Sequence, residues 1–106
     1  MKIKPGVVMP ERIEIYKALW AAETIWIAHG RKEGVTVTSG REGRHSWGSK
    51  HYSDDALDFR VRYWKKAEAQ QVATELQKAI GKDFDVVLEW DKVHIHVEYQ
   101  PKQSKV

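Results

Sequence analysis

Four of the chain's five histidines lie in two short stretches that are far apart in the sequence. The stretches are 44–59 and 89–98, and each places its histidines close to aspartate or glutamate side chains. Zinc in a catalytic site is held by three protein ligands drawn from histidine, cysteine and carboxylate, with a fourth position left for water. Because the chain has no cysteine, this pattern predicts a zinc site of imidazole and carboxylate groups, split between the two stretches. The candidate residues are His45, His51, Asp58, Glu89, Asp91, His94 and His96.

Both stretches contain the alternation of polar and apolar residues that is typical of a half-buried strand. In 56–62 this alternation places Asp58 on the face opposite Phe59. In 93–98 it places His94 and His96 together on the polar face. Alternate residues of a strand lie about 6.6 to 6.8 Å apart, which is too far for both rings to bind one ion comfortably. We therefore expect one of these histidines to bind the ion and the other to stand beside the bound water.

The segment 39–53 has little regular pattern and begins with turn-forming residues. A long irregular connection in a small domain is usually functional or disordered, and the side chains here favour a functional loop. His51 lies seven residues before Asp58, so the chain can fold back and bring the imidazole beside the carboxylate. Three other side chains of the loop each have two interpretations. The two arginines either contact a substrate carboxylate or are solvated charges, and the tryptophan either lines the binding cleft or anchors the loop. They are Arg41, Arg44 and Trp47.

The same residues resemble a known signature, Ser-x-His-x-x-Gly-x-Ala-x-Asp followed much later by His-x-His. It belongs to the zinc peptidase and hedgehog superfamily, which groups D-Ala-D-Ala carboxypeptidases, L-alanyl-D-glutamate endolysins of bacteriophage and the hedgehog signalling domain. The chain reads Ser49, His51, Asp54, Ala56 and Asp58, and later His94-Ile95-His96. Asp54 replaces the glycine of the signature, and aspartate is one of the few other residues that tolerate a left-handed backbone. The resemblance covers about half of the chain, from His45 to Pro101, and is closest to small phage-encoded members.

The resemblance implies a role for each matched residue. His51, Asp58 and His96 are expected to bind Zn²⁺. His94 is expected to polarise water or to stabilise the oxyanion. His45 falls where the hedgehog domain has another active-site histidine, so it joins the expected catalytic residues.

The acid/base carboxylate is the point at which the chain departs from many peptidases of the group. They carry it three residues before the last zinc ligand, where this chain has Val93. Glu89 and Asp91 are the nearest carboxylates, and the choice of general base stays open between them. The resemblance implies a zinc metallopeptidase that hydrolyses a peptide bond in peptidoglycan stem peptides. The departure at Val93 motivates the alternative, a zinc-containing binding or structural domain of the hedgehog-like fold without turnover.

With 106 residues, the chain is expected to form a single domain, 1–106. Its net charge of +3 mildly favours anionic partners such as cell-wall polymers, although this excess is also ordinary for solubility. The basic residues are scattered among acidic ones, which argues against nucleic-acid binding. No apolar run approaches the roughly 20 residues of a membrane span, and no signal-peptide pattern follows the first methionine. We expect a cytoplasmic monomer without a membrane partner. The resemblance implies in addition that the protein is released at phage lysis or carried in a virion.

Apolar residues at helical spacing predict two helices, over 10–29 and 65–80, and a glycine follows each. The first helix has a wide apolar surface that includes Trp20, Trp26 and Ile27. These three side chains are assigned to core packing.

Strands alternate with the helices in the predicted order. Four are expected, at 34–38, 56–63, 86–88 and 93–99, and the last two form an antiparallel hairpin. His29 lies near the end of the first helix, where a cation is favourable, and it is left out of the site. The expected fold is α+β, with two helices packed on one face of a small, mostly antiparallel sheet and the metal on the other face, as in the hedgehog and D-Ala-D-Ala peptidase group.

Overall fold

The structure is a computed structural model that describes residues 1–42 and 55–101. Within these ranges the chain forms one five-stranded sheet and two helices, so the predicted α+β class is confirmed. In chain order the elements are β1 (Lys2–Ile3), α1 (Glu14–Ala28), β2 (Thr36–Ser39), β3 (Ala56–Arg60), α2 (Lys66–Ile80), β4 (Phe84–Glu89) and β5 (His94–Tyr99). A short 3-10 helix, Trp90–Lys92, connects β4 to β5.

The sheet has the strand order β1-β2-β3-β5-β4 and is mostly antiparallel, as predicted. β1 runs parallel to β2, and the other three neighbouring pairs are antiparallel. The register between β2 and β3 shifts between Val37 and Ser39. With only two residues, β1 has too little periodicity for the sequence to indicate it. β3 is the central strand and joins the N-terminal part of the sheet to the β4-β5 hairpin.

Both helices contribute to one hydrophobic cluster with the same face of the sheet. Because side chains alternate along a strand, Phe59 points into this cluster while its neighbour Asp58 faces the other side. Trp26 of α1 is fully buried, and its ring meets Phe59 edge-on at a centroid distance of 5.7 Å. Its indole Nε1 also donates a hydrogen bond of 3.0 Å to the carbonyl oxygen of Arg60. The helices therefore hold β3 from one face, and Asp58 lies on the opposite face.

The first helix is shorter and more exposed than the sequence predicts. It begins at Glu14 rather than near Pro10. Trp20 is 62% exposed and Ile27 is 48% exposed, so their assignment to the core is wrong, whereas that of Trp26 is confirmed. Trp20 and Ile27 are seven residues apart, which places them on one side of the helix. That side is turned away from the sheet.

His29 follows α1 directly and connects it to α2. Its Nδ1 lies 3.0 Å from Oε2 of Glu68, and its Nε2 lies 2.9 Å from Oε1 of Glu75. The hydrogen bonds to Glu68 and Glu75 raise the pKa of His29, and they outweigh the opposing effect of burial. The sequence explained this histidine by its helix terminus alone and missed both partners.

Candidate metal centre

The face of the sheet opposite the helices brings together polar side chains from three neighbouring strands. Asp58 of β3 is the Cα partner of His96 of β5. His94 has Arg60 as its partner on β3 and Glu89 as its partner on β4. Asp58 is only 2% exposed, and both histidines are partly buried. The expected placement of Asp58, His94 and His96 on the face away from the helices is therefore what the fold produces.

Asp58, Glu89 and His94 form a group that is close enough to hold a metal ion. One ligand atom from each residue lies within 4.8 Å of the other two. Nε2 of His94 is 2.7 Å from Oε1 of Glu89 and 3.5 Å from Oδ2 of Asp58. Ligand atoms of a tetrahedral zinc site stand about 3.3 to 3.6 Å apart, because each lies about 2.0 to 2.2 Å from the ion. The 3.5 Å separation lies in this range, whereas the 2.7 Å contact is a hydrogen bond that a bound ion would replace. Imidazole and carboxylate are donors that zinc accepts, so the donor types fit the metal.

His96 lies between two carboxylates beside this group. Its Nδ1 is 2.9 Å from Oδ1 of Asp58, and its Nε2 is 2.8 Å from Oε1 of Glu98. Burial alone would lower the pKa of His96, but the hydrogen bonds to Asp58 and Glu98 and their negative charges raise it to about 9. Both ring nitrogens of His96 therefore have carboxylate partners in the metal-free chain, so an ion bound by this ring would displace a proton and one of these contacts. Asp58 therefore contacts both histidines of the His-x-His pair.

The structure separates the two carboxylates between which the sequence does not choose. Glu89 is the last residue of β4, and its carboxylate lies against the ring of His94. Asp91 lies in the 3-10 helix and is exposed to solvent. Glu89 is therefore the carboxylate that the fold brings to the candidate centre.

The turn that leads into His94 passes through an unusual backbone conformation at Val93. Its φ of 55° and ψ of 43° lie in the left-handed region, which β-branched residues rarely occupy. The amide of Val93 donates to the carbonyl of Trp90, and its own carbonyl accepts from the amide of Val61, both at 3.1 Å. Strained backbone held by such contacts is concentrated at functional sites in proteins.

Beside the metal group, the same face forms a pocket of about 430 Å³. Asp58 and His94 contribute to its wall, so the group opens into the pocket. Four cationic side chains also line it: Lys4, Arg60, Arg62 and Lys92. The sequence-based prediction missed them as site residues, although the alternation in 56–62 had already placed two of them on the face of Asp58.

The remaining predicted site residues fall within the segment 39–53 of the sequence. Arg41 is described, and its Nη1 lies 3.6 Å from Oε2 of Glu11. It is not among the described residues that line the pocket, so its role in substrate binding stays a prediction. The others lie outside the described residues, and the predictions about them also stay open: His45, His51, Arg44 and Trp47.

Comparison with known proteins gives no family for this chain. No protein-family model matches it, and no curated protein matches it. None of the helices within 1–42 and 55–101 is long and apolar enough to span a bilayer. A function for the chain is therefore argued from the geometry of the site and from the motif.

Proposed function

We propose that this chain is a zinc-dependent metallopeptidase that hydrolyses a peptide bond in peptidoglycan stem peptides. The observation that carries the proposal is the group of Asp58, Glu89 and His94, whose ligand atoms lie within 4.8 Å of one another. Asp58 and His94 of this group line a pocket. Zinc supplies Lewis-acid chemistry, since it lowers the pKa of a water ligand and polarises a carbonyl group. The substrate class and the phage setting come from the resemblance in the motif, because fold and metal do not fix specificity.

Asp58 is common to the two ligand sets that the motif and the geometry suggest. In the first set, which the resemblance implies, zinc is held by His51, Asp58 and His96. In the second set, zinc is held by Asp58, Glu89 and His94. We favour the first set because it leaves Glu89, whose Oε1 is 2.7 Å from Nε2 of His94, to act as the general base.

In this assignment Glu89 takes the proton of the attacking water. A general base must lie within hydrogen-bond reach of the proton that it removes, and Glu89 lies beside His94, which lines the pocket. His94 holds the carboxylate of Glu89 in place and then donates a hydrogen bond to the developing oxyanion. The resemblance adds His45 as a second donor to the same charge.

Digestion of purified peptidoglycan tests the proposal. The zinc-loaded protein is expected to release peptide fragments, and a chelated sample is expected to release none. Mass spectrometry of the fragments identifies the bond that is cut. The His51→Ala variant should lose both zinc and hydrolysis, because it removes a ligand. Cell-wall digestion that persists in this variant would rule out the first ligand set, and digestion that persists in the chelated sample would sink the proposal.

Metal content and hydrolysis of three further variants distinguish the ligand sets. With the first set, Glu89→Gln keeps zinc and loses hydrolysis by roughly 10²- to 10⁴-fold, the usual contribution of a general base. His96→Ala then loses zinc. With the second set, Glu89→Gln loses zinc and His96→Ala retains it. Asp91→Asn is the matched control, since this exposed carboxylate lies two residues away, and it should keep both properties.

A zinc-containing binding domain without turnover is the second candidate. The observation that favours it is Val93, which stands where many peptidases of the group carry their acid/base carboxylate. This candidate predicts one tightly bound zinc and no fragments from purified cell walls. Loss of measurable hydrolysis in a Glu89→Gln variant that keeps its zinc would argue against it.

A further inference from the structure

Cationic side chains from separate parts of the chain meet at the pocket beside the metal group. They are Lys4, which follows β1, Arg60, which ends β3, Arg62, and Lys92, which ends the 3-10 helix. Because they come from three different regions of the fold, folding rather than a run of basic sequence produces this convergence. Arg60 is also the Cα partner of His94. The cationic part of the pocket therefore adjoins the metal group directly.

These four cations have no ion-pair or hydrogen-bond partner for their side chains within 1–42 and 55–101. The other described arginines differ, because each pairs with a carboxylate: Arg12 with Asp55, Arg31 with Glu33, and Arg41 with Glu11. Cations grouped without partners repel one another and raise the local positive potential. At the wall of a pocket, such a group attracts an anionic ligand.

Opposite charges lie on the two sides of His94. On one side its strand neighbour is Arg60, and on the other side it is Glu89. A ligand with one negative group gains by placing that group at the cations and loses by placing it at the glutamate. The charges on the two sides of His94 therefore favour one orientation of an anionic ligand in the pocket.

We propose that Arg60, Arg62 and Lys92 bind a free carboxylate of the peptide substrate, an inference that rests on the proposed function. A guanidinium group presents a planar fork of donors that matches a carboxylate. Cross-strand Cα partners such as Arg60 and His94 lie about 5 Å apart, and one residue of extended peptide spans about 3.3 to 3.6 Å. The bound carboxylate then lies close to the scissile bond.

Two synthetic stem peptides test this inference by equilibrium binding to the zinc-loaded protein. They have the same sequence and differ in one carboxylate, which is free in the first peptide and amidated in the second. Calorimetry should show that the acid binds roughly tenfold more tightly than the amide. The difference should shrink at high salt, because partly exposed charges are screened. Mass spectrometry of the same samples reports hydrolysis separately.

Charge-removing variants locate the effect in the protein. Arg60→Gln and Lys92→Gln should each lose most of the preference for the acid and leave binding of the amide unchanged. Lys92 is exposed, so its substitution also tests the inference if Arg60→Gln folds poorly. Lys17→Gln is the matched control, because Lys17 is an exposed cation on α1, and it should keep the full preference. Arg60→Lys retains the charge without the fork and should give an intermediate preference.

The outcomes separate this inference from the proposed function. Equal affinity for the two peptides, binding of neither, or an acid preference that survives in both Arg60→Gln and Lys92→Gln would overturn the inference, even where fragments are released. A preference that these variants abolish, in samples that show no hydrolysis, would support the carboxylate subsite and remove the peptidase proposal.

Discussion

At the scale of single residues, the strained backbone of Val93 helps to set the position of the site. It is the non-glycine residue with a positive φ among those described, and His94 follows it directly. Conformations of this kind cost about 1 to 3 kcal/mol each and persist where the surroundings hold them. The bonds to Trp90 and Val61 provide that hold. The start of β5, and with it the direction of the His94 side chain, therefore depends on a residue that disfavours its own backbone conformation.

Replacement of Val93 by asparagine is expected to stabilise the fold. Asparagine tolerates the left-handed region, so Val93→Asn should raise the free energy of unfolding by about 1 kcal/mol or less. Urea denaturation of chelated protein measures this without a contribution from metal. Asp91→Asn introduces the same side chain at an exposed neighbouring position and should change stability by less than about 0.5 kcal/mol. A clear loss of stability in Val93→Asn would show that packing of the valine matters more than strain.

At the scale of elements, α1 and α2 are joined by a charged contact as well as by apolar packing. His29 lies between Glu68 and Glu75 of α2. The hydrogen bond from His29 lowers the pKa of Glu75. The hydrogen bonds to Glu68 and Glu75 raise the pKa of His29. The ionised contact therefore persists over a wider pH range than the ordinary pKa values of histidine and glutamate would allow.

Removal of this contact by His29→Gln should destabilise the protein in a pH-dependent way. A raised histidine pKa adds stability that is fully present below the ordinary value of 6.5 and is lost as pH rises through the raised value. The lowered pKa of Glu75 adds stability that is present above 4.5 and is lost as pH falls through the lowered value. The difference in unfolding free energy between wild type and variant should therefore be largest between these two values. It should reach about 1 kcal/mol or less, because both glutamates are well exposed.

Denaturation of both proteins across the pH range measures this difference. Subtracting the variant removes the contribution of other titrating groups, including His96. A difference that stays constant from mildly acidic to alkaline pH would contradict the assigned role of the contact.

At the scale of the whole molecule, the candidate ligands come from strands that only the complete sheet brings together. Asp58 lies on β3, whereas Glu89, His94 and His96 lie on the β4-β5 hairpin. An ion held by both parts binds the folded chain and not the unfolded chain, so metal binding adds to folding stability.

Zinc removal is therefore expected to lower the melting temperature. A ligand at 100 times its dissociation constant adds about 2.7 kcal/mol, which corresponds to about 10 °C in a domain of this size. Scanning calorimetry with zinc and with chelator measures the shift. Asp58→Ala removes the residue that both ligand sets share, and it should abolish the effect of zinc. The same zinc-induced shift in this variant would contradict a site on Asp58.

Sequence periodicity was sufficient to predict which residues of β3 and β5 face the helices, because the alternation of polar and apolar residues shows which side chains share a face of the sheet. It failed at Trp20, since a helix that is apolar on several sides does not indicate which side meets the sheet. It also could not locate the pocket. Arg60 and Arg62 become part of it through the approach of Lys4 and Lys92, which are remote in sequence and have no periodic relation to β3.

The order of the strands has a consequence for how the site is formed during folding. The bond between Asp58 and His96 joins residues that are 38 positions apart, whereas Glu89 and His94 are joined by a turn of four residues. Local hairpins close quickly, and pairings across long chain segments close later because more chain entropy is lost. A partly folded chain that contains the β4-β5 hairpin alone has Glu89 and His94 but not Asp58. Zinc capture should therefore report completion of the sheet, as one of the last events in folding.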